Sequence, residues 1–394
     1  MRIALVHDYL KEYGGAELVL ETLSDIFPGA PIFTTLYRPE FFGPHRPRLE
    51  QKWGSRVHQS FFKFIPFASK LISPLRLLSP LAFRLFDFQT FDLIISSATG
   101  AYFPNALNKK SAKLLCYCHT PPRYLYGLPT ARQLTNNKIV RAVVAVINHI
   151  LRLYDFKYAQ NVDHFIANSQ STSDRIWKFY RQKSIIINPP VDIPAPVIAS
   201  PDITGTKQSH PSKIIKRKTF YLTGGRLARA KRYDIAIQAC NKLKVPLKVF
   251  GRDFAGFESD LKKISGPTIE FLGEVDQLQK AKLYSQAKAF IFCSDQEDFG
   301  IMPVEAMACG CPVIGYNAGG TSETVIDGKT GVLFDELTPS SCAAAIKRLQ
   351  NLLSRHCEAD ITSAEAISKS CQSRAKQFSR DVFIAKIKKL TSSF

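Results

Sequence analysis

The sequence predicts an α/β fold made of two parallel-sheet halves, on three observations. Short apolar runs that read as buried strands alternate with segments of helical spacing. Two of these strands open alike, strand then glycine pair then helix, at Gly14-Gly15 and at Gly224-Gly225. A chain of 394 residues also has room for two cores. Parallel strands need crossovers, and the alternation supplies them as helices.

In the first half, residues 2–6 read as a buried strand and a helix follows from Ala16, so Gly14 and Gly15 sit in the turn between them. An α/β sheet holds ligands at such turns, although a plain tight turn also explains a glycine pair. The spacing is not GxGxxG, so a dinucleotide fingerprint is absent. APIFTTLY (30–37), FDLIISS (91–97) and AKLLCYCHT (112–120) are further strands. The last of them ends at His119, where a side chain faces the ligand crevice of a parallel sheet; a structural histidine is the plainer alternative.

Residues 51–86 are unlike the rest. They hold six lysines or arginines and no aspartate or glutamate, among phenylalanines and leucines broken by Pro66, Pro74 and Pro80. Two readings fit: short amphipathic segments lying in an anionic membrane surface, or a helix hairpin packed on the core with its basic residues solvated. Residues 131–160 read as one or two basic helices. VDHFIANS (162–169) gives a strand and Ser169 as an N-cap, and SIIINPPVD (184–192) closes the half. Prolines at 189, 190, 194, 196, 201 and 211 mark a linker, whose tail KIIKRK (213–218) reads as a solvated run.

The second half restarts with a strand over 218–223, Gly224-Gly225, a loop carrying Arg226 and Lys231, and a helix from about Tyr233. Two cations at a strand-to-helix turn suit a diphosphate, Arg as a fork and Lys as a point charge; in so basic a chain they suit a solvated turn as well. VPLKVFGRD, TIEFLGEV and AKAFIFCS supply three more strands. Cys293 to Phe334 then reads as loop, helix, strand, loop, short helix and strand, with Pro303 at a first helical position and Gly310 as the stop. Glu297 precedes that helix and Glu305 lies within it. The amides of Phe299, Gly300 and Ile301 fall at its N-terminus, a natural anion site. Helical segments complete the chain.

Composition limits function less than fold. The formal net charge of +20 attracts polyanions: nucleic acid, anionic lipid or phosphorylated substrates. Nine cysteines show neither CxxC nor zinc spacing, so buried free thiols in a reducing compartment are the simplest reading. MRIALVHDYL is too short and polar for a signal peptide, and no run reaches the ~18 apolar residues of a spanning helix.

Glu297 and Glu305 form E-x7-E, followed by A-M-A-C-G-x-P-V (306–313) and G-G-x-x-E (319–323). With G-G-A-E at 14–17, H-T-P-P-R-Y-L-Y from His119 and R-x4-K at Arg226 and Lys231, this pattern resembles retaining GT-B glycosyltransferases of family 4. Within that family it is most like bacterial mannosyltransferases that assemble polysaccharides and lipid-linked saccharides. The likeness covers nearly the whole chain and is weakest in 38–90 and 193–216.

The resemblance implies two Rossmann-like domains facing across a cleft: an acceptor-side domain (1–192), a linker (193–216), a donor domain (217–375) and a last helix (376–394) crossing back. It also implies roles. Glu297 and His119 would serve the reacting sugar. Glu305 would hold the ribose, and Val275 would lie by the base. Arg226, Lys231 and the amides of Phe299, Gly300 and Ile301 would bind the diphosphate, with Gly14 and Gly15 packed against it.

The donor would be a nucleotide-diphosphate sugar, GDP-mannose first, with no cofactor. The acceptor would be a saccharide or lipid-diphosphate saccharide at the cytoplasmic face of the cell membrane. Without D-x-D no metal is expected, and no nucleic acid is expected as a partner. Three alternatives stay open: a UDP-sugar-dependent transferase, a GT-B nucleotide-sugar epimerase, and a non-enzymatic polyanion-binding protein.

Overall fold

The computed structural model describes residues 1–130, 137–193, 219–354 and 363–394. The chain forms two compact units, Met1–Pro190 with Arg380–Phe394, and Val191–Ser379. The proline-rich linker and the KIIKRK run, apart from residue 193, lie outside the described residues.

Unit 1 carries a seven-stranded sheet in the order β3-β2-β1-β4-β5-β6-β7, every described pair parallel. The strands are β1 Ile3–His7, β2 Ile32–Thr34, β3 Val57–Gln59, β4 Leu93–Ala98, β5 Lys113–Cys118, β6 His164–Ala167 and β7 Ser184–Ile186. The central strands read as unbroken apolar runs because both faces are covered. Ala4 and Val6 of β1 point to one core with Ile94, Leu114 and Cys116. Leu5 points to the other with Leu93, Ile95, Leu115 and Tyr117. The helices Gly15–Ile26 and Arg380–Thr391 cover that second face, the latter through Phe383 and Ile387.

Unit 2 repeats the plan with six parallel strands in the order β10-β9-β8-β11-β12-β13. These are β8 Tyr221–Gly224, β9 Leu247–Phe250, β10 Ile269–Gly273, β11 Phe290–Phe292, β12 Val313–Tyr316 and β13 Gly331–Phe334. Its faces divide in the same alternating way, Tyr221, Ile291, Ile314 and Val332 against Leu222, Phe290, Phe292 and Val313. In both sheets the order turns back beside the unit's first strand, between β1 and β4 and between β8 and β11. The C-terminal ends of those strands are where such sheets bind ligands.

Two sequence expectations need correction. Residues 51–86 are not a helix hairpin. They pass from the helix Arg46–Trp53 into the edge strand β3, then through short turns and the brief helices Ile72–Leu75 and Ser79–Arg84. Three residues, Val-His-Gln, are too few to show a strand period, which is why β3 escaped the pattern. Pro303 is not the first helical residue either. The helix starts at Ile301, capped by Gly300 with φ +84°, a left-handed conformation that glycine adopts without strain. The Pro303 ring is tolerated because a residue in the first turn has no helical acceptor for its missing N–H.

Candidate functional site

Unit 2 brings Arg226, Lys231, Glu297 and the segment 299–301 to the β8 and β11 strand ends, whereas Val275 follows the edge strand β10. After β8 the chain turns at Gly225, and a Cβ placed there would stand 2.7 Å from Met302 Sδ. The glycine turn therefore lies against the first turn of the helix Ile301–Ala308. The Tyr233 hydroxyl donates to the carbonyls of Gly224 (2.8 Å) and Arg226 (3.2 Å) and pins the loop. Arg226 is exposed, with its guanidinium 5.7 Å from the Phe254 ring centre.

The chain then makes a turn at Arg229–Lys231. The Ala230 carbonyl accepts from the Asp295 amide at 3.1 Å, which ties this turn to the loop after β11. Across that tie, Lys231 Nζ donates to Glu297 Oε2 at 2.5 Å, and Ser294 Oγ donates to the same oxygen at 2.6 Å. Both side chains of the Lys231–Glu297 pair are partly exposed, so a ligand can reach them.

The loop from Glu297 to Gly300 is shaped by Gly319 and Gly320. The Gly320 amide donates to the Glu297 carbonyl at 2.8 Å. A Cβ on Gly320 would fall 2.2 Å from Phe299 Cα, so only glycine allows this approach. Phe299 is buried against Phe378, ring centres 5.3 Å apart. The segment Phe299-Gly300-Ile301 is thus anchored from behind at the start of the helix, where amide dipoles converge.

Glu305 lies four residues into that helix, about 6 Å along its axis. Lys280 Nζ donates to both its oxygens, at 2.8 and 2.9 Å. Val275 is half-buried just before Asp276, which caps the helix Gln277–Gln286 that carries Lys280.

Unit 1 holds Gly14, Gly15 and His119. Gly15 is the first residue of its helix, and the Gly14 amide donates to Glu17 Oε2 at 2.9 Å. The other Glu17 oxygen is 3.6 Å from His7 Nε2, at the end of β1. His119 follows β5. Its amide donates to the Ala98 carbonyl, and its Nε2 lies 2.9 Å from Ser97 Oγ at the end of β4. The residue is half-buried. Burial, and secondarily His7, push its pKa down to about 3, so it is neutral at neutral pH. Asp8 is buried beside them, Oδ2 accepting from Thr99 Oγ1 (2.5 Å) and from the Ala101 and Tyr102 amides (3.1 Å each). Burial raises its pKa above the usual carboxylate range despite these donors.

Sequence reading missed Lys280, Ser294, His7 and Asp8. His-Asp directly after a buried strand was a usable signal, because polar residues at that edge face the ligand side. Nothing in QLQKAKLYSQ distinguishes Lys280 from Lys282. Three buried atoms of this cluster, His7 Nδ1, His7 Nε2 and Asp8 Oδ1, find no hydrogen-bond partner among the described residues.

The family model "Glycosyltransferase Family 4" matches residues 13–194, and "Glycosyl transferases group 1" matches residues 206–358. The α-1,3/1,6-mannosyltransferase ALG2 of Dictyostelium discoideum is 26% identical over 295 residues, covering 65% of this chain and 66% of that protein. The human ALG2 enzyme is 27% identical over 268 residues, 62% of this chain and 61% of that protein. The chain thus spans about three fifths to two thirds of the length of these curated relatives. Among solved structures, Anabaena Alr3699/HepE in complex with UDP and glucose superposes with a TM-score of 0.68 at 19% identity, covering 100% of both chains. The fold is GT-B, two Rossmann-like parallel-sheet domains. With its two halves matched in turn by the paired family models, the chain belongs to the family 4, group 1 glycosyltransferases.

Proposed function

We propose that the chain is a retaining hexosyltransferase. It moves mannose from GDP-mannose to a saccharide or lipid-diphosphate-linked acceptor in cell-surface polysaccharide assembly, at the inner face of the membrane. The observation that carries this reading is the convergence in unit 2: the Lys231–Glu297 pair, the Gly225 turn and the helix start at Gly300 come together at the β8 and β11 strand ends. The mannosyl assignment draws on the printed activity of the ALG2 relatives. UDP-sugars are the competing donor class, because a structural neighbour holds UDP and glucose.

In this reading the C1–oxygen bond to the diphosphate breaks while an acceptor hydroxyl bonds to C1 from the same face. Its proton passes to the departing phosphate oxygen. Arg226, Lys231 and the amides of Phe299, Gly300 and Ile301 meet the charge that grows on the leaving group, which preorganised donors stabilise most. Glu305 takes the ribose hydroxyls, Val275 borders the base, and Glu297 takes the sugar as Lys231 turns to phosphate. His119, held neutral, serves the sugar as a hydrogen-bond partner, and Gly14 and Gly15 give the donor room. The anionic membrane surface is met through 51–86.

The test is a thermal-shift panel of nucleoside diphosphates. GDP should raise Tm more than UDP, and GDP-mannose with a polyprenyl-diphosphate saccharide should give an elongated product. A larger shift with UDP moves the donor to UDP-sugars, and an epimerised sugar without acceptor replaces transfer with epimerisation. If fixed cations hold the diphosphate, turnover should survive EDTA; loss on chelation with rescue by magnesium would sink the clamp.

A further inference from the structure

The helix Lys138–Ala159 has 22 residues, a length of about 33 Å. Its buried side chains are Leu151, Asp155, Tyr158 and Ala159, all within the last nine residues. From Lys138 to Ile150 none is buried. Ile139, Val143, Val146, Ile150 and Leu153 are 76, 53, 63, 48 and 62% exposed. They recur at steps of four, three, four and three and so share one face, which Val140, Ile147 and Tyr154 widen. A helix of a globular protein normally turns such a row to a core. Here it faces outward, and an exposed apolar face of this extent marks an interaction surface.

Charge says what covers it. Leu93 to Tyr154 contains no aspartate or glutamate, and Lys138 and Lys157 stand exposed at the two ends of the apolar row. The 51–86 block packs beside the base of this helix. The Arg84 guanidinium lies 5.4 Å from the Tyr158 ring centre, and Arg76 lies 3.6 Å from that of Tyr124. Asn148 of the helix in turn donates to the Tyr124 carbonyl at 3.4 Å. Leu77, Leu78, Leu81 and Leu85 are exposed in this neighbouring segment.

We propose that the outward face of Lys138–Ala159 embeds in an anionic lipid surface, with 77–85 alongside. This extends the contact assigned to 51–86 to a second and larger element. An apolar row with cations at its margin is the pattern of helices that lie in the headgroup layer. The heptad-like steps would also suit a second copy of the chain. The helix of a second copy, however, would offer Lys138 and Lys157 no exposed acid, since its acid Asp155 is buried, whereas an anionic surface supplies that charge.

The test uses the full chain and sedimentation with two vesicle types, phosphatidylcholine alone and phosphatidylcholine with phosphatidylglycerol. The wild type should pellet with the anionic vesicles, less so as salt rises. The double variant Val143→Asp/Val146→Asp should lose at least about tenfold of that partitioning, because its new acids oppose both apolar insertion and anionic lipid. Its circular dichroism and its transfer to a water-soluble acceptor should be unchanged.

Equal pelleting of the double variant and the wild type would overturn the proposal. So would a dimer that the substitutions abolish in a protein that ignores both vesicles. Loss of binding only in Phe64→Ser/Phe67→Ser would keep lipid contact on 51–86 and remove it from the helix. Sedimentation needs no donor, so a chain that binds lipid and transfers no sugar would fail the functional reading alone.

Discussion

The two sheets share one strand order and differ in what they place at the turning point of that order. In unit 1 the strand ends carry His7, Asp8 and His119. Burial drives His119 to its neutral form and favours the protonated form of Asp8. In unit 2 the equivalent ends carry a partly exposed ion pair, Lys231 with Glu297, and a second, Glu305 with Lys280, lies in the helix that follows. The architecture gives both sets the same address, and solvent access decides whether the address holds charge. A charged, reachable set suits a diphosphate; a set where burial disfavours charge on His119 and Asp8 suits hydroxyl groups, which need partners rather than counter-ions. Under the proposed function, the work would divide between halves that the backbone alone does not distinguish.

The largest expected effect falls on the charged side. Lys231→Ala should lower kcat by about 10²–10³-fold, the range seen when one preorganised donor to a developing charge is removed. It should also abolish the Tm shift given by a nucleoside diphosphate. Glu297→Gln should keep that shift and lose turnover, since the proposed partner of Glu297 is the sugar. Full turnover in Lys231→Ala would erase the contrast between the two units.

On the neutral side, His119→Ala should leave the nucleotide-induced Tm shift intact and lower transfer about 10–100-fold, the worth of a buried hydrogen bond left unmade. Because burial holds His119 near a pKa of about 3, the pH–rate profile should show no His119 ionisation between pH 5 and 8. A lost activity limb near pH 6.5 in His119→Ala would mean that the ring titrates and that the neutral assignment is wrong.

The strands were legible because central parallel strands are apolar on both faces, as in FDLIISS and KLLCYC. The glycine turns, Ser169 as a cap and Glu297 before its helix were legible because each needs a particular residue type at a fixed offset. Partnerships were not. Lys280 lies 25 residues from Glu305 and Lys231 lies 66 from Glu297, and no local spacing encodes which lysine meets which acid. The edge strand β3 was hidden because its three residues carry no period. The exposed face of Lys138–Ala159 was hidden for the opposite reason. Its periodicity was visible, but periodicity does not say whether an apolar face meets a core or the outside.

Lys280 sharpens the comparison at smaller scale. It donates to both Glu305 oxygens and so holds the carboxylate in one orientation. In Lys280→Met, Glu305 should swing free and bind the ribose less well. KM for the donor should rise about tenfold with kcat little changed, because one charge-assisted bond is worth roughly 1.5 kcal/mol in ground state and transition state alike. Lys280→Arg should restore most of it. An unchanged ratio of affinities for a nucleoside diphosphate and its 2′-deoxy analogue across all three proteins would place Glu305 away from the ribose.

The smallest effect concerns stability, and it tests whether the enclosed character of unit 1 extends beneath the helix Lys138–Ala159. Asp155 is buried there and accepts from the hydroxyls of Tyr126 (2.8 Å) and Tyr180 (2.9 Å). Burial outweighs these two donors and raises its carboxyl to about 7. An unfolded aspartate titrates near 3.9. The folded state therefore binds the proton more tightly, and this group's contribution to stability is complete below about pH 4 and lost as pH rises through about 7. Asp155→Asn removes the titrating group and keeps an acceptor for the tyrosines, so the Tm difference between pH 5 and pH 8 should shrink by a few degrees. If the difference is the same in wild type and Asp155→Asn, the carboxylate is hydrated and the base of this helix is open to water.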